Sequence, residues 1–257
     1  MRKFILIRNY REEDESVCKE LLKSSVMYSL NHTYIGFLLG QNIMRIVIFA
    51  AIVLMVILIY LEIPVGYSVM VIFLPATVLY LSLYGMFLYE ARIAGNEASE
   101  ISRIYTPDNA SCFWVAEVHE VHTLNRHERT QRYRFMTEEK LIESNIDVSA
   151  YNKKIVGIMS FCRSNWTPTF GWIKRLYVQR NYRRKGIGKK LVNRALYFAE
   201  EYRFERVKIL VTQYQKVVME FFNTRDFSVK VIRDHTFLFK LTMYEYVFRT
   251  THYQSFA

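Results

Sequence analysis

Between Lys174 and Lys190 the chain reads KRLYVQRNYRRKGIGKK, with eight basic residues and no acidic one. Trp172 to Val178 (WIKRLYV) predicts a strand. The apolar spacing after Gly186 predicts a helix, so the basic run covers a strand–loop–helix junction. A helix N-terminus presents backbone N–H groups without intrahelical partners and the positive end of the helix dipole, and together these bind anions. Gly186 and Gly188 let an anion approach the backbone closely. Arg183, Arg184, Lys185, Lys189 and Lys190 surround the junction with positive charge. The chemistry on offer is the holding of a pyrophosphate. RRKGIG is not a Walker loop, because GxxxxGK[ST] is missing. Nor is it a dinucleotide fingerprint, which needs GxGxxG and an acid about 20 residues later. A solvated basic loop capping a helix is the plain alternative. No recognition helix accompanies the run, which argues against nucleic acid as a partner.

The elements that must position this junction form a mixed pattern. Lys3 to Arg8 (KFILIR) predicts a strand, and Glu12 to Ser29 a helix with acidic residues in its first turn, where the dipole favours them. Glu90 to Tyr105 predicts a further helix, ended by Thr106-Pro107-Asp108-Asn109. Cys112 to Glu117 and Ile155 to Phe161 predict strands. Between them His119 to Asn152 is polar and without steady periodicity, and reads as an insertion, helical around Thr137 to Ser144 and otherwise a mobile loop. Gly186 to Tyr202 is amphipathic, with Ile187, Leu191, Ala195, Phe198 and Tyr202 at three- and four-residue steps. Val207 to Val211 predicts a strand and Lys216 to Thr224 a helix. Phe227 to Ile232 and Thr236 to Leu241 predict a closing hairpin. The order implies an α/β fold, a mixed sheet flanked by helices. The chain has 257 residues, a net charge of +11 and 51% hydrophobic residues, which excludes a solvated disordered chain. Cys18, Cys112 and Cys162 are too few and too scattered for a disulfide framework or a cysteine zinc cluster.

One segment interrupts this pattern. From Ile46 to Tyr89 there are 44 residues, of which Glu62 alone is charged. A soluble core helix would show a polar stripe, and this segment shows none. Two membrane crossings of about 20 residues each would consume most of it. Glu62, Pro64 and Gly66 mark a turn between two apolar arms. A core hairpin of a soluble protein is the alternative, but the rest of the chain is too small to wrap it. Arg45 precedes the hairpin, and Arg92 and Arg103 follow it, whereas the turn carries no Lys or Arg, so the charge rule places both flanks in the cytosol. The expected organisation is 1–42 as first strand and helix, 43–89 as membrane hairpin, and 90–257 as the rest of the sheet, with the polar insertion at 119–152.

Arg183 to Gly188, R-x-x-G-x-G after a strand, resembles the acyl-CoA pyrophosphate loop of the Gcn5-related N-acetyltransferases (GNAT). The following helix, VKILV, and a short helix running into Phe221-Phe222-Asn223-Thr224-Arg225-Asp226-Phe227 repeat that family's order. SCFWVAE (Ser111 to Glu117), KKIVGIMS (Lys153 to Ser160) and an apolar hairpin after the first helix are similar to the camello-like, N-acetyltransferase 8 branch. The resemblance covers nearly the whole chain except His119 to Asn152. It implies that the backbone of Leu176 and Val178 pairs with the pantetheine arm of acetyl-CoA. Arg183, Arg184, Lys185, Gly186, Ile187, Gly188 and Lys189 would hold the pyrophosphate. It implies transfer of an acetyl group to an amine, on a small molecule such as a cysteine S-conjugate or on a protein lysine. No metal is implied, and the implied location is an endoplasmic reticulum membrane with the catalytic sheet in the cytosol. Three positions depart from the pattern. Arg175 stands where the branch has His, Phe222 where a tyrosine often protonates the leaving thiolate, and Asp226 where a glycine precedes the last Phe. They leave a second reading open, an acyl-CoA-binding membrane pseudoenzyme acting through protein interactions.

Weaker signals have plainer readings. His119 and His122, with His127 nearby, lack a fitting third metal ligand and read as part of a solvated loop. Tyr177 and Tyr214 could replace the missing acid, but structural tyrosines are the simpler reading. Cys112 and Cys162 read as inert core thiols. The aromatics from Tyr244 to Phe256 fit either a membrane surface or a terminal strand.

Overall fold

Strand β1 (Lys3–Asn9) lies before the apolar hairpin in sequence, yet it pairs along its whole length with a strand that follows it. Its antiparallel partner is β2 (Cys112–Val121), in a register from Lys3 opposite Glu120 to Asn9 opposite Trp114. Its other edge pairs in parallel with β3 (Arg134–Met136), Phe4 opposite Arg134. The computed structural model describes residues 3–121, 133–144, 146–149, 151–235 and 240–250. These fall into two units. One holds residues 3–25, 93–209 and 247–250, and the other 26–92 and 210–246.

In the first unit the strands follow the order β3-β1-β2-β4-β5-β6, with β4 Tyr151–Arg163, β5 Phe170–Val178 and β6 beginning at Arg206. Helix α1 begins at Glu15 after a 3-10 turn, Glu12–Asp14. The chain's turn into it is fixed by Arg8, which donates from Nε to Glu117 (2.6 Å) and from both terminal nitrogens to Asp14 (2.6 and 2.9 Å). All three side chains are buried. Burial alone would lower the pKa of Arg8, but the bonds to Asp14 and Glu117 outweigh it and raise the pKa above its ordinary value.

The amphipathic helix, Ile187–Glu201, buries Ile187, Leu191, Ala195 and Phe198 as its spacing predicts. Phe198 meets Trp114 and Phe161 edge to face, with centroids 5.3 and 5.5 Å apart, and Phe161 also meets Phe204 at 5.1 Å. Each such aromatic, fully buried, contributes roughly 1.5–3 kcal/mol of transfer free energy. Gly171 makes room for Phe161, since a Cβ there would lie 2.0 Å from that ring.

The insertion departs from expectation at its start, and its expected helix around Thr137 to Ser144 is present as Glu138–Glu143. β2 continues through His119 to Val121, so His119 is a buried strand residue and not part of a solvated loop. It stacks on Phe4 with centroids 4.5 Å apart. The tertiary partner decides this, because pairing with β1 and β4 extends β2 past the apolar run. After His122 and His127, which lie outside the described residues, β3 and a short helix (Glu138–Glu143) follow. Thr137 caps that helix through the Lys140 N–H.

The second unit contains helices α2 (Leu30–Gly40), α3 (Asn42–Tyr60) and most of α4 (Val65–Glu97). α3 and α4 are long and apolar enough to cross a membrane. At 1.5 Å per residue, the 19 residues of α3 span about 28 Å. The hairpin turn has a physical stop. Glu62 adopts a left-handed conformation (φ 63°), the Ile63 N–H reaches back to the Leu58 carbonyl (3.1 Å), and Pro64 follows. The predicted helix from Glu90 is not separate, because α4 runs unbroken through Glu97 and ends in short turns before Tyr105.

α2 falls between the elements that the sequence pattern predicts. It packs Tyr34 against Tyr80 of α4 (5.2 Å), and its Gly36 lies so close to the Tyr214 ring that a Cβ would be 2.1 Å from it. In this unit β6, β8 (Lys240–Arg249) and β7 (Ser228–His235) are neighbours in that order. The second strand of the closing hairpin runs past the expected Leu241 to Arg249, and the expected start at Thr236 falls in residues 236–239, outside the described residues. Tyr244 to Arg249 belong to that strand, so the terminal-strand reading holds for this part of the aromatic tail.

Candidate functional site

β5 carries one residue more than its partner where it passes the middle of β4. Ser160 faces Lys174 while Ile158 faces Tyr177, so Arg175 and Leu176 together oppose Met159. This is a bulge, and Arg175 takes a left-handed φ of 55° within it. On the other edge, the parallel pairing of β5 with β6 covers only Phe170 to Trp172 opposite Arg206 to Lys208. Ile173 to Val178 leave that ladder, and their backbone edge is open to an extended partner. Leu176 and Val178, both half-buried, lie on this stretch. The Val178 carbonyl accepts a bond from Arg183 Nε (2.8 Å), which ties the strand's end to the loop after it.

That loop is built to expose amides. Arg183 is extended, Arg184 is left-handed (φ 60°), and Gly186, the residue before the helix Ile187–Glu201, is left-handed again (φ 86°). A residue with a side chain at Gly186 would be strained in that conformation. The backbone N–H groups of Arg184, Lys185, Gly186, Ile187, Gly188 and Lys189 donate to nothing among the described residues, and the Lys190 N–H is the first to join the helix, on Gly186 (3.1 Å). Six consecutive free donors at the positive end of a helix form an anion cradle. Ile187 is buried and anchors the helix start, whereas Arg184, Lys185 and Lys189 are exposed around it. The residues named from the basic run are thus brought together, and their donor set fits the pyrophosphate of coenzyme A.

Two residues at the bulge carry no signal in the sequence. Glu97, the last residue of α4, accepts from Arg175 Nε (3.0 Å) and Nη2 (2.6 Å) on one oxygen and from the Tyr105 hydroxyl (2.6 Å) on the other. Burial, and after it the bond to Glu97, push the Tyr105 pKa well above the ordinary tyrosine value. The partners are 78 residues apart, so only the tertiary fold joins them. Arg175 therefore has its charge neutralised beside the open edge of β5.

The substitute acids have structural roles. The Tyr214 ring lies against Gly36 and Phe37, and its hydroxyl accepts from Gln41 (3.2 Å). Tyr177 lies under the guanidinium of Arg183 at 5.5 Å. Phe222 is fully buried among Phe221, Phe227 and Tyr246. Burial raises the thiol of Cys18 to about 12 and that of Cys112 to about 11. Cys162 is also raised, by burial against the opposing effect of Lys174. Such thiols are poor nucleophiles. Among the described residues no three His, Cys, Asp or Glu side chains converge as a metal site would need.

The Acetyltransferase (GNAT) family model matches residues 98–227, half of the chain. The protein belongs to the GNAT acetyltransferase family, whose acetyl donor is acetyl-CoA. Comparison with curated proteins gives no match. Solved structures are similar at low identity. A GNAT-family acetyltransferase from Staphylococcus aureus Mu50 is 16% identical, over 58% of this chain and 74% of that one, with a TM-score of 0.36. An acetyltransferase from Streptococcus agalactiae 2603 is 18% identical, over 58% and 74%, with a TM-score of 0.38. At such scores the family model alone carries the assignment.

Proposed function

We propose that this protein is a membrane-anchored N-acetyltransferase that moves the acetyl group of acetyl-CoA to an amine, within the camello-like branch. The observation that carries the reading is the run of six unpartnered amides from Arg184 to Lys189, directly after a strand with an open edge. In this reading Arg183 to Lys189 hold the pyrophosphate, and the backbone of Leu176 and Val178 guides the pantetheine arm along β5. Acetyl-CoA supplies the activated thioester, and coenzyme A leaves as the thiol. The chain's own share is to orient the thioester, and positioning of this kind lowers a barrier without a dedicated acid or base. The acceptor is an amine on a small molecule, of cysteine S-conjugate type, or on a protein lysine.

The exposed apolar faces of α3 and α4 support the anchor. Phe49 is 68% exposed and Met70 69%, values that water would penalise and lipid would not. The pairing of β1 with β2 and β3 supports a hairpin that enters and returns, by two crossings or a re-entrant dip, because strands on opposite sides of a bilayer cannot pair. Arg45, Arg92 and Arg103 favour a cytosolic sheet, and the organelle in this reading is the endoplasmic reticulum. Sequons at Asn31, Asn109 and Asn165 then stay unglycosylated in microsomes.

A second reading, a coenzyme A-binding pseudoenzyme, is favoured by one observation. The two usual acid–base positions hold a buried Phe222 and an Arg175 engaged by Glu97. Assay of the full chain in detergent with acetyl-CoA and a panel of amines decides between them. Thiol release coupled to amide formation supports the enzyme. Coenzyme A binding without any transfer supports the pseudoenzyme.

A further inference from the structure

The loop carries more positive charge than a pyrophosphate needs, and part of that excess is held on aromatic rings. Lys185 Nζ stands 4.7 Å from the centroid of Tyr182 and 4.9 Å from that of Tyr133. Lys154 Nζ, from β4, stands 5.9 Å from the same Tyr182 ring. An ammonium within about 6 Å of a ring face is attracted by the ring's quadrupole, which limits where a long, flexible lysine points. Lys154 and Lys185 are both exposed, and neither forms an ion pair among the described residues.

The acid near them is Glu120, which accepts the Tyr133 hydroxyl at 2.5 Å and sets one carboxylate against the two ammonium groups. Lys3, which is buried, lies over Tyr133 as well, at 4.8 Å. Two ammonium groups on one ring, with no ion pair to either among the described residues, repel each other. A doubly charged anion placed between them would turn that repulsion into two charge-assisted contacts.

Coenzyme A has such an anion to place. It carries two phosphates in its pyrophosphate and a third on the adjoining ribose. With the pyrophosphate on the amides of Arg184 to Lys189, the third phosphate must stand within a nucleoside's width of the loop. Lys185 directly precedes Gly186 and is the loop residue that reaches Tyr182 and Tyr133. We propose that Lys154 and Lys185, held on Tyr182 and Tyr133, form a second phosphate subsite that takes the ribose 3′-phosphate of coenzyme A. The subsite rests on the coenzyme A reading of the loop. It also gives the insertion a task, because Tyr133 precedes β3 and reaches the loop from there. Phe135, in β3, lies under Lys190 at 5.8 Å.

The test is calorimetric titration of the full chain in detergent, at one fixed ionic strength, with coenzyme A and with 3′-dephospho-coenzyme A. The unaltered protein should prefer coenzyme A by about tenfold or more, the scale of one well-made contact set. In Lys154→Gln that preference should shrink at least about threefold, with affinity for the dephospho form unchanged. Tyr182→Leu should shrink it in the same direction. Because the ratio is read within one sample, a partly unfolded variant does not mimic the result. Equal affinity for both ligands in the unaltered protein would overturn the subsite and leave the pyrophosphate reading standing. So would a preference that survives Lys154→Gln and Lys185→Gln together. Binding of neither ligand would overturn the coenzyme A reading and the subsite with it.

Discussion

The basic loop from Arg183 to Lys189 and the apolar hairpin both leave groups without partners among the described residues, but of opposite kinds. From Arg184 to Lys189 the backbone offers polar donors that no part of the described chain accepts. Along α3 and α4 the side chains offer apolar surface left exposed among the described residues, with Tyr60 88% exposed. A soluble domain closes both kinds of account internally: its amides find acceptors and its large apolar surfaces find a core. In the proposed reading each region takes a solvent or ligand outside the chain, an anion for the loop and lipid for the hairpin. What the difference teaches is that unmet demand has a chemical sign. The sign of the unmet group names the class of partner before any partner is seen.

The comparison breaks first if the amides are open because the sheet is loose. The buried set of Arg8, Asp14 and Glu117 is the frame's firmest polar point. Arg8→Met leaves two buried carboxylates without their cation and should cost about 3–5 kcal/mol. Thermal melting in detergent should show a large loss, with coenzyme A binding falling in step. Unchanged melting would mean that the frame does not depend on this set.

A second test strikes the hairpin alone. Leu54 of α3 and Leu81 of α4 are 46% and 60% exposed. In water, replacing either by arginine would be nearly neutral. At the centre of a bilayer helix it should cost about 2.5–3.5 kcal/mol. Leu54→Arg and Leu81→Arg should therefore each reduce the fraction that resists alkaline extraction from membranes. Full tolerance of both would remove lipid as the partner.

Phe222 sharpens the contrast, because it is a position where nothing is left open. With its ring fully enclosed, Phe222→Tyr brings a hydroxyl into an apolar site, at about 1–3 kcal/mol if no partner is reached. The variant should melt lower and gain no transferase activity. Restored or raised turnover at undiminished stability would show that the position serves acid catalysis after all.

The smallest effect is a pH dependence. His119 is buried, which disfavours its charged form. Glu117 opposes that effect, and Lys153 and Arg8 add to it, so its pKa lies below the ordinary value of 6.5. The unfolded chain then binds the extra proton first, and stability should fall as pH drops below about 6.5, by at most about 1.4 kcal/mol per pH unit. Melting at pH 7.5 and 5.5 should show this loss, and His119→Phe, which keeps a ring on Phe4, should reduce it. An identical loss in the variant would assign it to other groups.

Much of the molecule was legible where one local pattern decides the outcome. The arms of the hairpin, the helix at Ile187 and the anion loop follow from composition, three- and four-residue spacing and paired glycines. What was not legible depends on partners distant in the chain. His119 reads as a polar loop residue until β1 and β4 flank it. β3 is three residues long and gains its place only by parallel pairing with β1, although the alternation of Tyr133, Arg134 and Phe135 is a faint strand signal. Glu97 meets Arg175, with Tyr105 on its other oxygen, only because α4 ends beside the bulge of β5. A departure at Arg175, read as a missing histidine, is in the structure half of an ion pair whose other half no motif marks.

The most direct test of the central claim is the affinity of the loop for coenzyme A. Gly188 stands in the first turn of the helix, among the six free amides. Gly188→Glu would place a carboxylate where the pyrophosphate must sit. Calorimetry on the full chain in detergent should show coenzyme A binding weakened at least tenfold, about 1.4 kcal/mol, with the melting temperature in the absence of ligand little changed. Binding as tight in Gly188→Glu as in the unaltered protein would contradict the account.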